Sequence, residues 1–146
     1  LVTDDGTALP EAQFILRYLD SIAPSPALFP ANDLVSTMSL AAISLGAIEA
    51  AVAIIIGRKS SEKFDTDLVG TKRYRTMASA FASLEEHLPH DFSDRADIAN
   101  IAAITAIDYI EFRFQDRDWL AGLPKLKAWR DRQHQRASVQ STKPFV

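Results

Sequence analysis

The chain contains no cysteine, so disulfides, thiolate nucleophiles and zinc–thiolate sites are excluded within its 146 residues. It has no basic excess either. The formal net charge is −3, which argues against nucleic acid or an acidic membrane surface as a partner. There is no internal repeat and no low-complexity tract. The first residue is Leu1, not methionine, and no charged-then-apolar signal segment follows it. The sequence therefore reads as trimmed, processed or partly recorded, and as cytoplasmic. Apolar residues make up 47% and charged residues 24%, ordinary values for one globular domain with one core.

One long apolar run is present. Leu40 to Ile56, LAAISLGAIEAAVAIII, has 17 residues, the short limit for a membrane span. Glu49 near its centre, with Ser44 and Gly46, favours a buried helix of a soluble protein.

The first residues carry a hairpin signal. Asp4-Asp5-Gly6 separates two short β-compatible runs, and glycine accepts positive φ without steric cost. Pro10 suits the first turn of a helix, and Phe14, Ile15, Tyr18, Leu19 and Ile22 follow at helical spacing. Pro24, Pro26 and Pro30 then exclude regular structure and mark a linker anchored by Leu28 and Phe29.

A second helix is predicted over about 32–57. Leu34, Met38, Ala41, Leu45, Ile48, Val52 and Ile55 form one stripe, and Leu40, Ile43, Ala47, Ala50 and Ile54 another. A helix apolar on more than one side needs cover on more than one side. Further helices are expected over about 67–88, 94–114 and 124–136, with residues 137–146 frayed.

Candidate chemistry is sparse. Asp94 and Asp97 have the spacing of a capping pair at a helix start. An acid/base carboxylate pair is the alternative, but no environment that would raise a pKa is visible. His87, His90 and Asp91 straddle a helix end at Pro89, so their side chains need not converge on a metal, and none is expected. His134 reads as a surface residue. Lys125, Lys127, Arg130, Arg132 and Arg136 read as a solvated basic face. Arg113 is a candidate partner for Asp116 or Asp118, and Asp118 a candidate turn cap.

Phe92 to Trp119, FSDRADIANIAAITAIDYIEFRFQDRDW, opens on that capping pair, runs through a nearly all-apolar helix and closes on alternating aromatic and charged residues. It resembles the central buried helix of the C-terminal domain of bacterial glutathione S-transferases. The resemblance extends over nearly the whole chain. It implies an all-α, glutathione transferase C-terminal-like helical bundle over 32–146. Residues 24–31 would be the linker. Residues 1–23 would be a truncated remnant of the thioredoxin-like domain, its last β-hairpin and helix. In the family, an N-capping box stands where Asp94 and Asp97 stand. LPEAQFILRYLD is similar to the segment in which an acidic residue and a serine bind the γ-glutamyl end of glutathione. Glu11 keeps the acid, and Ala12 replaces the serine.

The family's catalytic Ser, Tyr or Cys and its cis-proline lie upstream, so no residue of this chain inherits the thiolate-activating role. By the family's use of the second helix, Met38 and Leu45 are pocket candidates. Leu45 stands where related bacterial sequences commonly have an acid. The resemblance implies conjugation of glutathione, as co-substrate, to a small hydrophobic electrophile by the full protein, and a homodimer. The alternative is a non-catalytic helical module for dimerisation or partner binding.

Overall fold

The computed structural model describes residues 1–23, 26–91 and 96–143. Six α-helices follow in order: α1 (Ala12–Ile22), α2 (Leu34–Ser60), α3 (Leu68–Glu86), α4 (Ile98–Arg113), α5 (Pro124–Gln133) and α6 (Ala137–Ser141). Single 3₁₀ turns at Ala31–Asp33 and Phe64–Thr66 precede α2 and α3. No strand forms among the described residues. The expected hairpin is reduced to one antiparallel bridge, Val2 to Ala8, around Gly6 at φ 84°. Leu9 N–H donates to Leu1 O at 2.9 Å. Two such short segments with no third strand beside them cannot extend a ladder.

Local chemistry sets the helix limits. At the start of α3, the Asp67 carboxylate accepts from Gly70 N–H at 2.7 Å, an N-cap that satisfies one orphan donor. At the start of α5, Pro124 needs no N–H partner. The next two donors, Lys125 and Leu126 N–H, go to the Glu85 carboxylate of α3 at 3.1 and 2.6 Å. Helix α2 ends on Arg58 and Lys59, cations suited to its negative end.

The core lies among α2, α3 and α4. Ala47, Ala50 and Ala51 of α2 let the helices approach closely, and Ile54, Met77, Phe81, Leu84, Ile107 and Ile110 fill the space between. At its lower end the residues after α4 close the core as expected. Phe114 is fully buried, and Trp119 stacks on Tyr74 with centroids 6.1 Å apart. The Trp119 indole N–H donates to Phe114 O at 3.1 Å. Asp118 caps the turn by accepting from Leu120 N–H at 3.1 Å. Arg113 does not pair with Asp116 or Asp118; its guanidinium lies over the Tyr109 and Phe112 rings.

Two C-terminal expectations are corrected. Residues 137–141 form α6, because Val139 reaches the core. His134 is mostly covered, and its Nε2 lies 2.8 Å from Asp108 Oδ1 of α4. The basic face of α5 is answered by acids: Arg132 by Asp91 at 2.9 Å, Arg130 by Glu111 at 3.5 Å and Lys127 by Asp131 at 3.8 Å.

Helix α2 is long and apolar enough to cross a membrane by length and composition alone. One side of it, from Thr37 to Gly57, is buried in this core against α3 and α4.

Candidate functional site

Helix α1 is joined to the bundle by a small second core. Leu16 packs with Leu28, Phe29 and Leu45 against Ala41, Ile98 and Ala102. Polar contacts fix the same junction. The buried Asp20 carboxylate accepts from the N–H groups of Leu28 and Phe29 (the latter at 3.2 Å). Leu28 O accepts from Ile98 N–H at 3.0 Å. One acid thus ties α1 to Leu28 and Phe29, and Leu28 in turn ties them to the start of α4.

An apolar groove of about 290 Å³ opens between α1 and α2 above this junction. Ala12, Phe14, Met38, Ala42, Leu45 and Ile98 are among its lining residues. Three positions singled out from the sequence, Ala12, Met38 and Leu45, therefore meet on one surface. Glu11 is exposed and does not line the groove. It immediately precedes α1 at φ 66° and ψ 122°, the one non-glycine at positive φ among the described residues. Such a conformation costs about 1–3 kcal/mol. No side chain caps this helix end. The first intrahelical bond comes from Ile15 N–H to Glu11 O at 3.0 Å, so the amides of the first turn face outward at the positive helix end.

The start of α4 differs from expectation. The helix begins at Ile98, and Asp97 is its cap, not the third residue of its first turn. The Asp97 carboxylate accepts from Asn100 N–H at 3.0 Å, and Asn100 Oδ1 accepts from Asp97 N–H at 3.2 Å. Asp94, expected to be the cap, lies outside the described residues. Sequence reasoning missed Asn100. Its spacing from Asp97 was the available signal, since asparagine can close a box as glutamine does. Asn100 Nδ2 also donates to His90 O.

A second cleft, about 450 Å³, lies between the first turns of α2 and α4 and the end of α3. It collects Asp33, Thr37, Ser83, His87, His90 and Asp97. His90 Nε2 is 3.4 Å from Asp33 Oδ2, and both side chains are exposed. No group of three or more His, Asp or Glu among the described residues is placed to hold a metal ion.

A third constellation is structural. Arg58 donates to Asp65 through Nε and Nη2, at 2.9 and 2.6 Å, and Nη2 also donates to the Tyr74 hydroxyl at 2.8 Å. That hydroxyl donates to Asp65 at 2.9 Å. The Arg58 hydrogen bonds hold the Asp65 carboxyl below its ordinary range, and burial pushes the Tyr74 hydroxyl up. The network pins the α2–α3 connection to the aromatic end of the core.

Residues 71–132 match the family model for the glutathione S-transferase C-terminal domain. Solved structures resemble far more of the chain. A glutathione S-transferase from Methylobacterium radiotolerans, in complex with glutathione sulfonate, aligns over 99% of this chain and 71% of its own, at 25% identity and a TM-score of 0.83. A glutathione transferase family member from Pseudomonas fluorescens Pf-5, with bound S-(propanoic acid)-glutathione, aligns over 100% of this chain and 76% of its own, at 27% identity and a TM-score of 0.81. A glutathione S-transferase from Methylobacillus flagellatus, with glutathione bound, shares the fold, with a TM-score of 0.83 at 24% identity over 99% of this chain and 74% of its own. No curated protein matches the chain. The chain is glutathione S-transferase-like, centred on that family's helical C-terminal domain.

Proposed function

We propose that this chain forms part of a cytoplasmic glutathione transferase-like protein. The start of α1 takes the γ-glutamyl end of glutathione, and the α1–α2 groove takes the apolar part of a small electrophile. One observation carries this reading: Ala12, Met38 and Leu45 line the same apolar groove. The strained Glu11 and the uncapped first turn of α1 support it, since free amides at a helix start favour a carboxylate. With Ala12 in place of a serine, recognition there rests on backbone donors and the Glu11 carboxylate. Residues 1–23 belong to a thioredoxin-like portion, 24–31 to a linker and 32–146 to the helical domain. The full protein conjugates glutathione to the electrophile, and its copies associate as a homodimer. Residues 1–146 by themselves hold the ligand without activating its thiol.

The test is an NMR titration of the 146-residue chain with glutathione and with an S-alkyl glutathione. Both should shift the amides of Ala12 and Gln13. The alkyl derivative alone should also shift the side chains of Met38 and Leu45. Absence of any shift at millimolar ligand would sink the proposal. So would turnover of a chlorodinitrobenzene-type substrate by this chain clearly above the uncatalysed rate.

The exposed apolar side chains of α1 and α2 favour a second reading, a non-catalytic module for dimerisation or partner binding. Under it the groove would stay indifferent to glutathione.

A further inference from the structure

The connection between α2 and α3 gathers positive charge that the chain as a whole lacks. Residues 58–75 hold six cations against three acids, in a chain whose net charge is −3. Two of those acids are already engaged. Arg58 holds Asp65 at 2.6 Å, and Asp67 caps α3 through Gly70 N–H. Lys59, Lys63, Lys72, Arg73 and Arg75 are exposed, and none has an ion-pair partner among the described residues. On α5, by contrast, Lys127, Arg130 and Arg132 are each answered by an acid. Apolar surface lies in the same segment. Leu68 is 86% exposed and Val69 51%. Gly70 turns them outward. A Cβ there would run into the Phe64 carbonyl, so that side of the first turn of α3 lies against the 3₁₀ turn before it. At about 100° per residue, Leu68, Lys72 and Arg75 stand on the opposite side, with Val69 beside them.

We propose that this outer face of α3, with the connection before it, is a peripheral docking surface for a membrane that carries anionic phospholipids. The inference is independent of the glutathione reading. Leu68 and Val69 enter the boundary between headgroups and acyl chains, and the unpaired cations meet the phosphates. Lys72 and Arg75 follow Leu68 at about 6 and 10 Å along the helix. Their aliphatic stems let the charged ends stay at headgroup level while the start of the helix dips below it. Charge and apolar surface together select the occupant. A nucleic acid offers phosphates but no apolar layer for a side chain as exposed as Leu68. A neutral bilayer offers the apolar layer but nothing for five unpaired cations. The net charge of the whole chain, which disfavours an acidic surface, averages over this local excess. Exposed charges act within a screening length of about 8 Å, so the residues nearest the lipid decide the sign. Two apolar side chains alone bind weakly, and binding is therefore reversible and sensitive to salt.

Vesicle flotation of the full 146-residue chain tests this. At low salt, binding to phosphatidylcholine vesicles with about 30% phosphatidylserine should exceed binding to phosphatidylcholine alone by about tenfold or more. It should fall by a similar factor in about 0.5 M salt. The double variant Lys72→Glu with Arg75→Glu should abolish it, and Leu68→Ser should weaken it several-fold, each with an unchanged circular dichroism spectrum. Lys125→Glu, at an exposed cation of α5, is the control and should bind as the parent does. Because the chain has no cysteine, Leu68→Cys can carry a single environment-sensitive fluorophore. Its emission should move to the blue on anionic vesicles, and the same label at Lys125→Cys should not respond. Equal binding to the two vesicles, or binding unmoved by the charge reversal, would overturn the proposal. A label at position 68 that stays in water on bound vesicles would do the same, since it marks adsorption by charge alone. Tighter capture of a short DNA duplex or of polyglutamate than of the vesicles would overturn the lipid assignment. No binding to either vesicle would overturn the surface itself, while the glutathione titration would be untouched.

Discussion

Replacing Asn100 by Asp tests the start of α4 with almost no change of shape. Asn100 is 2% exposed. Its Oδ1 accepts from Asp97 N–H, and its Nδ2 donates to His90 O. In Asn100→Asp the first bond survives and the second loses its proton. The introduced carboxylate would face the His90 carbonyl and lie near the Asp97 carboxylate, with little water. Breaking a buried bond and leaving the acceptor unpaired costs about 1–3 kcal/mol, and burying a charge adds to that. The His90 carbonyl also receives a long bond from the Trp129 indole at 3.5 Å, which offsets part of the loss. A destabilisation of about 2–3 kcal/mol at neutral pH follows.

The sign of the pH dependence is fixed. Burial raises the pKa of the introduced carboxyl in the folded state. Stability is therefore fully present below its unfolded pKa and is lost as pH rises through the folded value. The deficit against the parent chain should shrink on acidification, because the protonated carboxyl can donate to His90 O again. Urea denaturation of both chains at pH 7 and pH 4.5 measures this. A midpoint that barely moves, or a deficit that grows on acidification, would refute the assignment of Asn100 as a buried donor.

Asp97→Ala removes the other half of the box and should cost about 1 kcal/mol in the same assay. Glu85→Ala leaves Lys125 and Leu126 N–H without their carboxylate and should cost about 1–2 kcal/mol, with hydrogen exchange accelerated at the start of α5. Gly70→Ala would drive a Cβ into the carbonyl of Phe64; a loss of about 1–3 kcal/mol is expected by thermal denaturation. Asp65→Asn should be less stable than the parent at neutral pH. Arg58 depresses the Asp65 carboxyl in the folded state, so its contribution is present above the ordinary value of 3.8 and lost as pH falls through the folded one. The two stability curves should converge below pH 4.

Particular residues show what could be read in advance. Of the two apolar stripes read on α2, the one carrying Ala47, Ala50 and Ile54 is the buried one, whereas Met38 and Val52 of the other are exposed; periodicity shows that a face is apolar, and tertiary packing decides which face is covered. Pro124 and Asp67 marked helix starts through chemistry that acts within one turn. Asn100 and Glu85 were harder. Glu85 accepts from residues 40 and 41 positions away, a distance over which local spacing says nothing. His134 looked like a surface residue because its sequence neighbours are polar. Only the packing of α5 on α4 brings Asp108 to it.

For the candidate site, the resemblance carried by the sequence supplied the ingredients: an acid before a helix start and two apolar positions on the next helix. It also determined the helical class, since periodicity and caps are short-range properties of the chain. The tertiary structure decided that Ala12, Met38 and Leu45 share a groove. That meeting depends on Asp20 tying Leu28 and Phe29 to α1 and on Leu28 receiving the first amide of α4. Such contacts join elements distant in sequence, and their geometry exists only after the chain has collapsed around a common core.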